Sequence, residues 1–63
     1  MTKTYYLERF KYNLTEGFFV KADSLREARQ LAVKLLKSDK IEFLQLADKD
    51  CIESNKDFAT YLN

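Results

Sequence analysis

The chain has 63 residues, of which 46% are hydrophobic and 33% are charged, and its net charge is +1. This length supports one domain, residues 1–63, that buries only about 60% of the surface exposed by its unfolded chain. Because the chain has no histidine and a single cysteine, Cys51, it cannot form an internal disulfide, a histidine-based metal site or histidine acid–base catalysis.

The N-terminal stretch MTKTYYLERF lacks the apolar centre of a signal peptide. No apolar run approaches the ~20 residues that a membrane-spanning helix needs. The composition therefore predicts a cytoplasmic protein that does not bind membranes. There is no proline, repeat or low-complexity segment to mark a linker or a second domain.

The first predicted unit is a hairpin of two strands. Aromatic, β-branched and charged residues run from Thr4 to Tyr12, which is typical of a strand. The pattern breaks over residues 13–17, where Gly17 is the only glycine and is predicted to take the positive φ angle of a hairpin loop. A returning strand is predicted from Phe18 to Ala22.

A helix is predicted from Leu25 to Lys37. Ser24 and Glu27 have the spacing of a capping box, in which each side chain accepts a hydrogen bond from the backbone N–H of the other residue. Apolar residues recur at helical spacing and form a stripe that should lie on the sheet. The stripe consists of Leu25, Ala28, Leu31, Ala32, Leu35 and Leu36. Ser38-Asp39 is predicted to end the helix.

The C-terminal third is predicted to add a third strand, from Ile41 to Leu46, in a two-sided or central position of the sheet. A turn over residues 47–50 precedes a short fourth strand, residues 51–53. Ser54 or Asn55 would then cap a last helical turn from Lys56 to Leu62. Whether residues 51–63 are helix or strand is left open by the pattern.

The predicted architecture is therefore α+β: a small antiparallel sheet packed on one main helix, of order ββαβ, with a short fourth strand and a C-terminal helical turn as additions. One helix can cover only one face of such a sheet. The face opposite Val20 and Ile41 needs a cover, which would be either the C-terminal turn or a second copy in a homodimer. Its predicted members are Tyr5, Leu7, Phe19, Leu44 and Leu46.

No catalytic, cofactor-binding or metal-binding residue is predicted. Cys51 has no histidine to activate it and is predicted to be a buried structural thiol. Asp48, Asp50 and Glu53 lack the loop length and glycine of a calcium site and are expected to form a solvated turn. A small-molecule substrate is not indicated, since there is no glycine-rich phosphate loop.

One candidate contact surface remains, the basic outer face of the predicted helix. Its cations could meet a protein partner, could bind phosphates while sheet aromatics stack on bases, or could simply be solvated. The net charge of +1 counts against nucleic-acid binding but does not exclude it. The face consists of Arg26, Arg29, Lys34 and Lys37.

The segment FFVKADSLREARQLAVKLLKSDKIEFLQLADKD resembles the DpnD/PcfM-like small proteins of phages and plasmids. In that family a V-x-A-x-S strand end leads into an E-A helix and then a further strand with acidic residues. The resemblance is carried by Val20, Ala22, Ser24, Glu27-Ala28, Ile41-Glu42-Phe43-Leu44 and Asp48. It implies a mobile-element setting and no mechanism. The chain departs from the family pattern in its basic helix.

The phrase VKADSLREARQLAVKLL is also similar to the sheet-to-helix junction of the arm-binding domain of phage integrases. That domain places three strands before its helix, whereas two are predicted here before Ser24. The similarity implies DNA binding as an alternative. The sequence as a whole predicts a small non-catalytic cytoplasmic accessory or protein-interaction domain encoded by a prophage or plasmid, acting on a protein partner or as a homodimer; the alternative is a small nucleic-acid-binding protein.

Overall fold

A computed structural model of the chain describes residues 1–37 and 40–63. The elements follow the order ββαβαβ, which confirms the predicted α+β class and the ββαβ core. They are β1 Lys3–Lys11, β2 Leu14–Ala22, α1 Leu25–Leu36, β3 Phe43–Leu46, α2 Lys49–Asn55 and β4 Ala59–Tyr61. The predicted helix end at Ser38-Asp39 lies outside the described residues.

The four strands form one sheet in the order β3-β1-β2-β4. β1 is central and pairs antiparallel with both β2 and β3, as predicted for these three strands. β4 pairs with β2 in the parallel direction, so the complete sheet is mixed. The side-chain amide of Asn63 extends this edge by bonding both the N–H and the C=O of Lys21, at 2.8 and 2.9 Å.

The hairpin turn is formed by Tyr12 and Asn13, whose φ angles are 54° and 62°. Lys11 pairs with Leu14 across this two-residue loop. Two consecutive positive φ angles are typical of a type I′ turn, which matches the twist of the flanking strands. The predicted loop over residues 13–17 is therefore wrong, and β2 begins at Leu14 instead of Phe18.

Gly17 lies buried inside β2 and does not have a positive φ angle. A Cβ atom at this position would lie 2.6 Å from Cε2 of Phe58 and 2.9 Å from the hydroxyl of Tyr6. Both distances are shorter than packed atoms tolerate. The glycine is therefore required for the close approach of two aromatic side chains to the strand and has no role in the turn.

Helix α1 begins as predicted, because the side-chain oxygen of Ser24 accepts a hydrogen bond of 3.1 Å from the N–H of Glu27. It ends at Lys37, which is left-handed at φ 54° and donates its N–H to the carbonyl of Val33. Within the predicted apolar stripe, the centre is fully buried and the ends are not. Ala28 and Ala32 are buried, Leu31 and Leu36 are half-buried, and Leu25 and Leu35 are exposed.

The C-terminal elements occur in the reverse of the predicted order, with helix α2 before strand β4. Asp48 caps α2 by accepting a hydrogen bond of 2.8 Å from the N–H of Cys51. The predicted turn and fourth strand at residues 47–53 are therefore mostly helical, because the aspartate acts as a helix cap. The predicted helical turn from Lys56 to Leu62 is replaced by a turn and by β4, which gains its hydrogen bonds from β2.

The sheet carries one helix on each face, and a separate apolar cluster lies under each. α1 covers a cluster that contains Tyr5, Leu7 and Val20, with Leu44 beside it. α2 covers a cluster in which Tyr6, Phe19 and Ala47 pack against Cys51, Ile52 and Ala59. The C-terminal segment thus covers the second face, which was one of the two predicted alternatives. The covering element, however, is α2 and not the predicted turn at residues 56–62.

The predicted assignment of side chains to the two faces needs correction. Tyr5 pairs with Val20 in the antiparallel register, so the two share a face. Leu7 and Leu44 lie on that same face, and Phe19 lies on the other. The third strand is also not central: β3 is an edge strand of four residues. Neither helix in the described residues is long and apolar enough to cross a membrane.

Candidate functional site

An open groove of about 600 Å³ lies between α1 and β3. We refer to it as the α1–β3 groove. Three of its residues come from the first turns of the helix, two from the segment that leads into β3 and two from the start of β3. It is lined by Leu25, Arg26, Arg29, Ile41, Glu42, Phe43 and Leu44.

The local fold explains why these side chains meet. Ser24 fixes the start of α1, so Leu25 is its first residue, and Arg26 and Arg29 are three residues apart on neighbouring positions of one side of the helix. The chain returns to the sheet at Glu42, whose N–H bonds the carbonyl of Glu8 at 3.0 Å. This bond holds the segment that leads into β3 against β1, beside the first turns of α1.

The walls of the groove are apolar and incompletely covered. Leu25 is 49% exposed, and Ile41 and Leu44 are half-buried. Phe43 borders the groove at the start of β3, but the centre of its ring lies 6.3 Å from that of Tyr6, on the opposite face of the sheet. Leu46 follows Leu44 on the same face of β3 and is 53% exposed. An apolar groove that continues along an open strand edge is a feature of sites that bind other proteins.

The charge of the groove is positive, because Arg26 and Arg29 outnumber Glu42. Within residues 1–37 and 40–63 the ion pairs join Arg9 to Glu16, Lys56 to Glu53, and the N-terminus to Asp23. Neither groove arginine belongs to one of these pairs. Both guanidinium groups are exposed and can bind an incoming carboxylate with two parallel hydrogen bonds.

A second, smaller groove of about 300 Å³ lies between the turn end of the β1–β2 hairpin and the C-terminal end of α1. We refer to it as the hairpin-end groove. Its lining is mostly cationic, consisting of Arg9, Phe10, Lys11, Leu36, Lys37 and Lys40. The Arg9 side chain is engaged within the fold, since its Nε lies 3.0 Å from Glu16 and its guanidinium carbon lies 5.2 Å from the centre of the Phe18 ring.

The predicted basic face is divided between these two grooves. The structure places Arg26 and Arg29 together in the α1–β3 groove and Lys37 in the hairpin-end groove. Lys34 is exposed and lines neither of them. The sequence reasoning missed Arg9 and Lys11 as neighbours of Lys37. Their common parity with Leu7 on β1 was the available signal, because it places them on the face that α1 covers.

One titratable group in the core is strongly perturbed. Tyr6 is 4% exposed, and its hydroxyl donates a hydrogen bond of 2.8 Å to Oε2 of Glu8. Burial raises the pKa of Tyr6 from 10.0 to about 12, and the hydrogen bond and negative charge of Glu8 add to the shift, with a further contribution from Cys51. The hydroxyl is thus held neutral as a donor, which suits a structural role.

Cys51 is half-buried on α2 instead of fully buried as predicted. Its sulfur lies 3.6 Å from the amide nitrogen of Gln45 and 3.7 Å from that of Asn55. Across the described ranges 1–37 and 40–63, no three aspartate, glutamate or cysteine side chains are grouped closely enough to hold a metal ion. Comparison with protein-family models, with curated proteins and with solved structures found no match to the chain.

Proposed function

We propose that this domain is a small non-catalytic protein-interaction module and that the α1–β3 groove binds its protein partner. The observation that supports this most is the composition of the groove, in which exposed Leu25 and half-buried Ile41 and Leu44 stand beside Arg26 and Arg29. Interfaces between proteins favour such a mixture, since apolar and aromatic groups supply the buried area and arginine supplies directional hydrogen bonds.

The distribution of exposed apolar residues favours a protein partner over a face-to-face homodimer. The dimer hypothesis depended on an uncovered sheet face, and α2 packs on that face over Tyr6 and Phe19. Incompletely covered apolar residues lie instead beside one edge of the sheet, with Leu25 and Leu46 on the face of α1 and Phe43 on the opposite face. The proposed cytoplasmic location and the proposed prophage or plasmid origin are supported by the composition and by the resemblance to DpnD/PcfM-like proteins.

Affinity capture from cells of the source organism tests this proposal with a matched pair of variants. Leu25→Ser removes an apolar side chain from the groove, whereas Leu14→Ser removes one of the same kind that is 68% exposed beside the hairpin turn. We expect wild type and Leu14→Ser to retain the same proteins. Leu25→Ser should retain about fivefold less of them, as expected for the loss of about 1 kcal/mol at an interface.

The comparison requires that both variants fold, which their urea unfolding midpoints establish. Equal retention by Leu25→Ser and wild type contradicts the proposal. Loss on Leu14→Ser alone, or retention no greater than that of an empty affinity tag, contradicts it equally.

The hairpin-end groove favours a second candidate function, nucleic-acid binding. Lys11, Lys37 and Lys40 lie at one end of the molecule, close to Phe10 and Tyr12, which are 57% and 85% exposed. Lysines that bind phosphates beside aromatic rings that stack on bases are the usual components of single-strand binders. This candidate uses a different end of the domain and therefore different variants.

Fluorescence anisotropy with labelled single-stranded DNA, duplex DNA and RNA tests the second candidate. It predicts binding that weakens steeply with added salt and that Lys37→Glu reduces. The double variant Arg26→Glu with Lys34→Glu determines whether the outer face of α1 contributes. No binding at low salt by wild type removes this candidate.

A further inference from the structure

The outer edge of β3 has backbone groups free for pairing. The N–H of Ala47 bonds the carbonyl of Thr4 at 2.9 Å, and Gln45 lies opposite Tyr6. Because successive residues of a strand direct their N–H and C=O groups to opposite sides, those of Leu44 and Leu46 point away from β1. Among residues 1–37 and 40–63, no strand pairs with β3 on that side. The edge can therefore offer up to about four backbone hydrogen bonds to another strand.

This edge lacks the residues that usually prevent strand addition. β3 has the sequence FLQL, with no lysine, proline or glycine. The opposite edge offers less backbone for pairing, since β4 has only three residues and, beyond it, the amide of Asn63 occupies the backbone groups of Lys21 on β2. Of the two edges, β3 is the one suited to receive a strand.

The side chains beside the edge select what kind of strand would fit. A strand added to β3 would direct alternate side chains to the face that carries Leu44, Leu46 and the first turns of α1. On that face it would meet the exposed apolar surface of Leu25 and Leu46 and then the guanidinium groups of Arg26 and Arg29. Apolar residues would gain contacts there, and carboxylates would pair with the two arginines.

A second copy of the chain fits this edge less well. Pairing of β3 with its own copy about a twofold axis brings the same groove together twice. Arg26 and Arg29 would then approach the same two arginines of the copy, with only Glu42 of each groove to offset four positive charges. An acidic partner avoids this repulsion.

We infer that the α1–β3 groove binds an extended acidic segment of a partner protein, which adds to β3 as a fifth strand and pairs its carboxylates with Arg26 and Arg29. This inference rests on the proposed function and specifies the partner. Backbone pairing would supply the affinity, and the arginines would supply the preference for acidic sequences.

Selection from a phage-displayed library of random peptides, with the full chain immobilised, tests the inference. Enriched peptides should carry apolar and acidic residues two positions apart, so that both point to the face with Leu25, Leu46 and the two arginines. Arg26→Glu with Arg29→Glu should weaken their binding by tenfold or more, on the order of 1.4 kcal/mol. The control, Lys34→Glu with Lys49→Glu, changes the net charge equally at exposed positions outside the groove and should bind within about twofold of wild type.

Synthetic copies of an enriched peptide, each N-methylated at one backbone position, test strand addition itself. Methylation removes one N–H, so binding should fall at every second position, where the amide faces β3. Basic or neutral enriched sequences, losses at helical spacing, equal losses in both double variants, or no enrichment at all would overturn the inference.

Two outcomes separate this inference from the proposed function. If no peptide is enriched while Leu25→Ser still loses the partners captured by wild type, the groove binds a folded surface, and only the strand inference is wrong. If light scattering shows a dimer that Leu46→Lys converts to a monomer, the occupant is a second copy and the acidic segment is excluded.

Discussion

Replacing Tyr6 with phenylalanine removes one hydroxyl group from the core and leaves the ring in place. Tyr6 is 4% exposed, and its hydroxyl donates a hydrogen bond of 2.8 Å to Glu8. A hydrogen bond to a charged acceptor contributes roughly 1.5–3 kcal/mol. Since Glu8 remains half-buried in the variant, we expect Tyr6→Phe to lower the free energy of unfolding near neutral pH by about 2 kcal/mol.

The same substitution changes how stability depends on pH. The pKa of Tyr6 is raised from 10.0 to about 12, so the folded state favours the neutral hydroxyl. Its stabilising effect is complete below pH 10 and is lost as the pH rises through 12. At about pH 11, where the unfolded state already ionises and the folded state does not, the loss amounts to about 1.4 kcal/mol.

Urea unfolding followed by circular dichroism measures this effect when wild type and Tyr6→Phe are compared near pH 8, 10 and 11. Contributions from the other titrating groups are present in both proteins and cancel to first order. The stability advantage of wild type should shrink by about 1.4 kcal/mol between the lowest and the highest pH. An advantage that stays constant over this range would refute the argument that Tyr6 is held neutral by its surroundings.

Three further substitutions test the fold, each by the urea midpoint. Gly17→Ala should lower the free energy of unfolding by about 1–2 kcal/mol, because the added methyl meets the Phe58 ring. The loss of stability should be smaller in a Phe58→Ala background, and an equal loss there disproves the clash. Asn13→Gly should raise it by about 0.5–1 kcal/mol, since glycine adopts the positive φ angle freely, and any decrease contradicts the turn assignment. Asp48→Ala should cost about 1 kcal/mol and Asp48→Asn less, because asparagine keeps an acceptor for the cap; similar costs for both would argue against it.

The parts of the fold that local sequence determines were predictable. Ser24 and Glu27 identified the start of α1, and the half of the predicted capping box in which Ser24 accepts from the N–H of Glu27 is present. The hairpin itself was also expected, but its turn was placed at Gly17 because glycine is the usual residue at positive φ. The turn instead uses Tyr12 and Asn13. Tyrosine is uncommon in that conformation, so the sequence carried only a weak signal there.

The C-terminal third depended on contacts that local patterns do not show. β4 has three residues and exists because it pairs in parallel with β2, roughly forty positions earlier in the chain. Asp48 could serve either a turn or a helix cap, and the sequence alone did not decide between them. Packing of Ile52 against the second apolar cluster favours the helix.

The candidate site was predictable only in the part that depends on local spacing. Arg26 and Arg29 were expected on an outer helix face, which follows from helical spacing alone. Their position beside an open strand edge depends on β3 being at the end of the sheet, whereas the two-sided apolar pattern of Phe43 and Leu44 had indicated a central strand. Leu44 packs on the apolar cluster under α1 and the Phe43 ring packs against Tyr6 on the other face, so the two-sided pattern does not require a second neighbouring strand.

Hydrogen–deuterium exchange at single amides, with and without the captured partner, tests the interaction surface most directly. In the free protein the amides of Leu44 and Leu46 should exchange rapidly and that of Gln45 slowly, because of these three only the N–H of Gln45 points towards β1. The bound partner should slow exchange at Leu44 and Leu46 by tenfold or more, on the order of 1.4 kcal/mol. Unchanged exchange along β3, with protection confined to the hairpin end near Asn13, would contradict the account.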